Sequence, residues 1–301
     1  MSPKRRAVAK VIDAALLRRW PLPKLQGHAD KVSRGDVLVV GGSQQIPGAV
    51  LLAGQAALRA GAGRVQVATA RGAAPALAMA FPEARVIGLS QTRQGEIGLR
   101  GARELADVLA RAKAVLIGPG MREQAAAEQL LREALRAKHE FTAVLDAAAL
   151  RIFRDRTPLR SGSLAGVIAT PHAGEMADLW GCEAEAVHQD PLALATEAAR
   201  SLGITLVLKG VETFIVEPDG TAFRNIAGNS GLATSGSGDV LSGIISGLAA
   251  RGATPVQAAV WGVYLHAKAG DSLARSLGPL GYLARELPAC VPPILARLSR
   301  G

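Results

Sequence analysis

The stretch Asn229–Gly247 reads NSGLATSGSGDVLSGIISG, a loop of small residues that runs straight into an apolar helix. Gly231, Ser235, Gly236, Ser237 and Gly238 let the backbone turn tightly and leave its N–H groups unobstructed. Val240, Leu241, Ile244, Ile245 and Leu248 then recur at helical spacing. Unpaired N–H groups and the helix dipole converge at such a helix start, which makes it a ready site for an anion. Asp239 stands where loop becomes helix. A carboxylate there either caps the helix or does chemistry beside a bound phosphate. Capping is the commoner role.

Upstream, short apolar runs alternate with helical patterns. Asp36–Val40 reads as a strand ending in Gly41 and Gly42, then a helix from Gly48 to about Ala60, then a strand at Arg64–Ala70. Parallel strands require such a crossover. The alternation continues with a helix at Ala73–Ala80, a strand at Arg85–Leu89, a helix at Gly101–Ala112 and a strand at Ala114–Ile117. It goes on with a helix at Glu123–Lys138, a strand at Phe141–Leu145, a strand at Gly166–Ala169, a helix at Pro191–Leu202 and a strand at Thr205–Leu208. Thr213–Val216 and Thr221–Asn225, joined by Pro218-Asp219-Gly220, read as an antiparallel hairpin. Gly252 ends the helix after Asp239, and Thr254 with Gln257 forms a capping box for a last helix through His266 to about Ala269. The expected fold is α/β: a single doubly wound, mostly parallel sheet flanked by helices. Residues 1–32 read as an N-terminal extension, a tail through about Lys31, before a domain over residues 33–301. Several strands end in polar or glycine-rich text, at Gly41-Gly42-Ser43, Gly118-Pro119-Gly120, Asp146, Thr170-Pro171-His172 and Lys209-Gly210. Ligands of open α/β sheets sit beyond the carboxyl ends of the strands, so these clusters should line one edge and face Asp239.

Composition narrows the function classes. The 301 residues are 49% hydrophobic but only 3% aromatic, with a formal charge of +10. Such a charge invites a nucleic-acid reading. Here, however, Arg and Lys are dispersed among helical alanines and stacking platforms are scarce, so a solvated surface with affinity for small anions fits better. Cys182 and Cys290 have no metal or redox spacing and point to a reducing compartment. The basic N-terminus has no signal-like core, and no stretch is long enough to span a bilayer, so the expected location is the cytoplasm, without a membrane partner. His28, His139, His188 and His266 show no metal spacing, so no protein metal site is expected. A Gly-x-Ser-x-Gly elbow of a serine hydrolase is absent.

Taken together, GGSQQIPGA, GPG, TPHAGEM, LKGVET and NSGLATSGSGDVLSGI, in this order, resemble the ADP-dependent (S)-NAD(P)H-hydrate dehydratases of the ribokinase-like superfamily, over roughly Ser33 to Ala269. The Gly-x-Gly-Asp element alone would indicate only the superfamily, and the other motifs are the more specific. The resemblance implies repair of damaged nicotinamide cofactors, in which NADH or NADPH hydrate is dehydrated at the expense of ADP. It implies Asp239 as the base, in contact with the hydrate together with Ala49, Gly120 and His172. It implies a nucleotide site at Lys209, Gly210, Val211, Glu212 and Thr213, and along Asn229, Ser230, Gly231, Leu232, Ala233, Thr234, Ser235, Gly236, Ser237 and Gly238. It further implies Mg2+ with the nucleotide, a homo-oligomer such as a tetramer, and a hydrate epimerase as a separate protein.

Bland roles stand beside these. His172 could cap the following helix or pair with Glu175, Lys209 could be a solvated charge, and Ala49 and Gly120 offer only small size. The family's Leu-Asp-Ala-Asp-Ala-Leu-Asn run reads LDAAALR here, with Ala148 and Arg151 for an acid and an amide. Ser235 replaces a glycine, which at positive φ would cost about 1 kcal/mol. Two other functions therefore stay open: an ATP-dependent kinase of a small hydroxymethyl vitamin precursor, and a nucleotide-binding regulatory protein without turnover.

Overall fold

The computed structural model describes residues 8–24, 31, 34–136, 141–154 and 164–299; the expected helix end at Lys138, together with His28, His139 and Ser33, lies outside them. Ten strands form one sheet: β1 (Lys10–Val11), β2 (Asp36–Val40), β3 (Arg64–Ala70), β4 (Arg85–Leu89), β5 (Ala114–Ile117), β6 (Thr142–Leu145), β7 (Val167–Ala169), β8 (Thr205–Leu208), β9 (Thr213–Val216) and β10 (Ala222–Asn225). Their spatial order is β1-β10-β9-β8-β7-β6-β5-β2-β3-β4. All neighbours pair in parallel except β9, which runs antiparallel to both β8 and β10. The apolar runs AVLI, TAVL and TLVL of β5, β6 and β8 are buried along their whole length, as strands covered on both faces must be.

Alternate residues of each strand feed two separate cores. Val37, Val39, Leu116, Val144, Ile168 and Val207 pack with the helices Gly48–Arg59, Ser237–Ala250, Pro255–Ser276 and Leu287–Ser299. Leu38, Val40, Val115, Ile117, Leu145 and Leu206 pack with Gln124–Arg136, Ala173–Trp180 and Pro191–Leu202 on the other face. The sheet is therefore doubly wound, as expected. Its switch point falls between β2 and β5, where the chain order reverses. The loops after these strands splay there and are tied by a hydrogen bond from Gly42 N to Pro119 O (2.6 Å).

The structure departs from the sequence reading in several places, among them the helices Ala184–Gln189 and Leu287–Ser299, which were not expected. The helix expected over Gly101–Ala112 is two short ones, Leu99–Arg103 and Ala106–Leu109. The helix from Pro255 runs on to Ser276. Thr254 accepts from Gln257 N at 3.3 Å as a cap should, but the Gln257 amide does not return the bond. It donates instead to the Trp20 and Pro21 carbonyls, at 3.4 and 2.9 Å. Those carbonyls belong to the stretch read as a tail. β1 adds to the sheet edge beside β10, Leu17 is fully buried, Trp20 stacks on Phe223, and Trp261 Nε1 donates to Trp20 O (3.0 Å).

The helix after the glycine loop is buried on nearly every side because it lies close against Gly48–Arg59. A Cβ on Gly243 would collide with the Ala53 carbonyl oxygen, and one on Gly247 with that of Ala57. Gly243→Ala is expected to destabilise the fold by about 2 kcal/mol through overpacking, read as a lower urea midpoint with an unchanged slope.

Candidate functional site

Helix Ser237–Ala250 starts after Gly236, which takes a left-handed conformation (φ 87°) and provides no side-chain cap. Asp239 is thus in the first turn and is not the cap. The N–H groups of Gly238 and Asp239 have no partner among the described residues, as the first turn of a helix leaves them. The sole non-glycine residue at positive φ among the described residues is Ala147 (φ 50°), directly after Asp146. Ser235 therefore occupies ordinary backbone and carries no left-handed strain. That strain, about 1–2 kcal/mol, falls on Ala147.

Three charged groups meet under this helix start. Lys209, at the end of β8, donates from Nζ to Asp146 Oδ1 at 3.0 Å and lies 3.8 Å from Glu175 Oε2. Asp146, at the end of β6, is 4% exposed in its side chain and also accepts from Thr170 Oγ1 (2.8 Å). Its Oδ2 is 3.9 Å from where a Cβ on Gly238 would stand, and Lys209 Nζ is 3.5 Å from the same point. Glycine thus keeps the space above the pair open. Burial works to lower the Lys209 ammonium, but Asp146, Glu175 and Asp239 overcome it and hold it raised. Asp239 is pushed up to about 7, by burial first and then by Asp146, with Lys209 opposing.

The second part of the site lies at the switch point. A Cβ on Gly120 would meet Ile46 O at 2.6 Å, Ala49 Cβ at 3.0 Å and Gly42 Cα at 3.1 Å. Ala49 and Gly120 therefore share one tight corner. One on Gly236 would meet Leu52 of Gly48–Arg59 at 2.5 Å, so the glycine loop sits over the same helix. His172 closes the row at the end of β7, bridged to Lys209. Its Nδ1 accepts from Gly174 N (3.0 Å) and Glu175 N (3.2 Å), while Glu175 Oε2 accepts from His172 N (2.8 Å). The expected cap is present. It also places the proton of the neutral ring on Nε2, which faces outward 3.6 Å from Glu175.

Not every residue expected at the site offers a group to a ligand. Ser237 Oγ turns inward to the buried His266 Nε2 (3.0 Å), and burial lowers that imidazole to about 4. Leu232 packs below against Gly228 and Gly270, and Asn229 accepts from Gly231 N (3.0 Å) and the Tyr282 hydroxyl (2.8 Å). Val211 is fully exposed, Gly210, Ser230, Ala233 and Ser235 are exposed, and Thr234, Glu212 and Thr213 lie half-buried around them. The sequence reading set Asp146 and Thr170 on the edge facing Asp239 without giving either a role, and the structure joins Thr170 to Asp146 and Asp146 to Lys209. Tyr282 and the Ser237–His266 contact escaped it. Tyr282 carries no local signal. No group of three His, Cys, Asp or Glu side chains fit to hold a metal occurs among the described residues, and none of their helices is long and apolar enough to cross a membrane.

A profile of the NAD(P)H-hydrate dehydratase family matches residues 37–293 of this chain. The chain belongs to that family. It is 47% identical over 292 residues to the ADP-dependent (S)-NAD(P)H-hydrate dehydratase of Xanthomonas campestris, covering 97% of this chain and 98% of the relative. It is 40% identical over 281 residues to the bifunctional NAD(P)H-hydrate repair enzyme of Moorella thermoacetica, covering 93% of this chain but only 53% of that longer protein. The crystal structure of the ADP/ATP-dependent NAD(P)H-hydrate dehydratase of Bacillus subtilis, co-crystallised with ATP and Mg2+, superposes with a TM-score of 0.83 at 30% identity, over 96% of this chain and 99% of that one.

Removing Lys209 leaves the buried Asp146 carboxylate without its ion pair. Lys209→Ala is expected to cost about 3 kcal/mol of stability by urea denaturation, and adding Asp146→Ala to recover much of it. Additive losses would mean that the pair is not coupled.

Proposed function

We propose that the chain is an ADP-dependent (S)-NAD(P)H-hydrate dehydratase that restores NADH or NADPH from the S-form of their hydrates. The observation that carries the reading is Asp239: a carboxyl raised to about 7, in the first turn of a helix with free N–H groups, beside Lys209. A group poised there is a base at neutral pH and a neighbour of transferring phosphate at once. The names of the Xanthomonas and Bacillus relatives support the same chemistry.

In this reading the hydrate's ring lies at Ala49, Gly120 and His172, with His172 Nε2 as a donor to it. The nucleotide lies along Lys209 to Thr213 and Asn229 to Gly238. Asp239 takes the proton of the ring hydroxyl as its oxygen attacks the terminal phosphorus of ADP, and the bond to the bridging oxygen breaks to give AMP. The N–H groups of the helix start and the Lys209 ammonium stabilise charge on the moving phosphoryl group. Hydroxide is a poor leaving group and a phosphate ester a good one. The ring nitrogen's lone pair then expels phosphate, and loss of a proton from the adjacent ring carbon restores the reduced nicotinamide. A kinase site becomes a dehydratase because its product eliminates in place.

Magnesium is proposed to enter with the nucleotide, where it would neutralise phosphate charge. Such a hard cation takes one or two carboxylates plus phosphates and water. Asp146 Oδ2 fits that role, with the nucleotide phosphates and water as the other ligands, which leaves Asp239 free as the base. An epimerase that interconverts the two hydrate forms is proposed as a partner, supported by the bifunctional name of the Moorella relative. A homotetramer is the proposed assembly. A cytoplasmic location is also proposed, supported by the unpaired state of Cys182 and Cys290.

The test is recovery of reduced-nicotinamide absorbance from NADPH hydrate with ADP or ATP. ADP-dependent recovery should fall by a factor of at least a hundred in Asp239→Asn, a general base contributing about 10²–10⁴-fold. Folded wild type that binds ADP but restores neither cofactor would sink the reading. In the wild type kcat/KM should rise with pH through about 7 as Asp239 deprotonates. Because folding raises this pKa, the carboxyl's contribution to stability is full below its unfolded value and is lost as pH rises through about 7. Asp239→Asn should therefore melt above wild type at pH 8, with the gap closing towards pH 4.

A further inference from the structure

One cavity on the sheet edge is left unused by the chemistry above. Beyond β3 and β4, Arg71, Gly72, Ser90, Gln91, Gly98 and Arg100 line a cleft of about 510 Å³. Topology fixes where it lies. β5, β2, β3 and β4 are consecutive neighbours, and neighbouring strands are about 4.8 Å apart. The cleft thus begins one to two strand spacings from the corner at Gly42 and Gly120, on the side away from Lys209 and Asp146. Gln44 bridges the two. Its N–H donates to Gly95 O (2.9 Å), and its side chain lies 3.5 Å from where a Cβ would stand on Gly72 and 2.7 Å from one on Gly95.

The lining has the chemistry of an anion site. Arg71 and Arg100 are both exposed. Among the described residues Arg71 makes no ion pair, and Arg100 reaches only Glu104, at 3.8 Å. Glu104 is the acid that faces them, and it is tied to the wall, accepting from Ser90 Oγ (2.6 Å) and Ser90 N (3.2 Å). Those two bonds, the side-chain one foremost, hold its carboxyl below the ordinary range. The other nearby acid, Glu96, is buried and bound to Arg122 at 3.2 Å. Gln91 Oε1 accepts from Gly72 N (2.8 Å), which leaves its amide NH2 to donate.

We infer that this cleft is the phosphate subsite for the dinucleotide tail of the nicotinamide hydrate, with Arg71 and Arg100 as its cations. The inference rests on the dehydratase reading, which sets the ring at Ala49, Gly120 and His172. The co-substrate's phosphates then occupy the β6–β8 side of the edge, so the hydrate's ribose and phosphates have the β3–β4 side open to them. Two phosphates could be the one held: the pyrophosphate, common to both hydrates, or the 2′-phosphate, which only the NADPH form carries.

The experiment is binding of NADPH and NADH, the dehydrated products, followed by nicotinamide fluorescence in wild type and in Arg71→Ala/Arg100→Ala, with ADP binding measured in parallel. Both positions are exposed, so the variant should fold, and its melting curve verifies this. Loss of the two charge-assisted contacts should weaken dinucleotide binding roughly tenfold or more and leave ADP affinity unchanged. An equal loss for both dinucleotides assigns the cleft to the pyrophosphate, and a loss confined to NADPH assigns it to the 2′-phosphate. Equal affinity of variant and wild type for both overturns the subsite, as does a wild type that binds ADP and neither dinucleotide. Hydrate turnover is scored separately. Binding that collapses in the variant, in a protein that turns over no hydrate, keeps the subsite and rejects the dehydratase.

Discussion

The close approach of two helix backbones is the constraint on which the rest of the site depends. Gly243 and Gly247 let Ser237–Ala250 press onto the carbonyls of Ala53 and Ala57, which fixes the two helices against each other. One of them begins with the loop that leads to Asp239; the other begins with Ala49 at the switch point. Had either glycine carried a side chain, the gap between the helices would have to widen. The corner at Gly120 and the free N–H groups at Gly238 would then separate. In the proposed reading, the geometry for a reaction between the two ligands is thus set by packing well away from either of them.

That geometry places a cost on the charges beneath it. Asp146 stands near enough to Asp239 to repel it, and burial disfavours the Asp239 anion. Lys209 offsets part of this, yet not enough to keep Asp239 in the usual carboxylate range. The residual penalty is what gives Asp239 its basicity. A more fully neutralised cluster would be more stable and a poorer proton acceptor, and an unpaired Asp146 would be costlier still. The backbone strain at Ala147 sits one residue from this cluster, in keeping with the way strain gathers where the surrounding structure over-determines a site.

Much of this was legible in the sequence because the signals were local. The strands β2, β3, β4, β5 and β8 matched the sequence reading end to end. β5 and β8 are buried on both faces and read as unbroken apolar runs, and β2, β3 and β4 each open on a charged residue that marks the strand start. The glycine loop and its helix were equally clear. Less was visible where tertiary contacts decide. β1 is two residues long and forms only because β10 presents an edge. The helix Leu287–Ser299 contains Pro292 and Pro293, which argue against a helix, whereas Leu287, Val291, Ile294 and Leu298 argue for one by their spacing and are all buried. Gln257 looked like half of a capping box and was recruited by Trp20 and Pro21 instead. At the site, Asp239 announced itself by its loop. Tyr282 lies 53 residues from Asn229 in the chain, and no pattern within either segment points to the other.

His172 shows why a bland reading and a functional one need not compete. As a helix cap its Nδ1 must be an acceptor for Gly174 and Glu175, and an imidazole that accepts on one nitrogen donates from the other. Capping therefore fixes both the direction of the ring and the side on which its proton is carried. Glu175 completes the arrangement, since the carboxylate that closes the capping box also stands 3.8 Å from Lys209 Nζ. One short helix start thereby orients the His172 donor and contributes charge to the Lys209 ammonium. Replacing His172 by a serine cap would preserve the helix start and remove the donor. The positioning of a ligand at this edge is consequently separable from the stability of the helix that holds it.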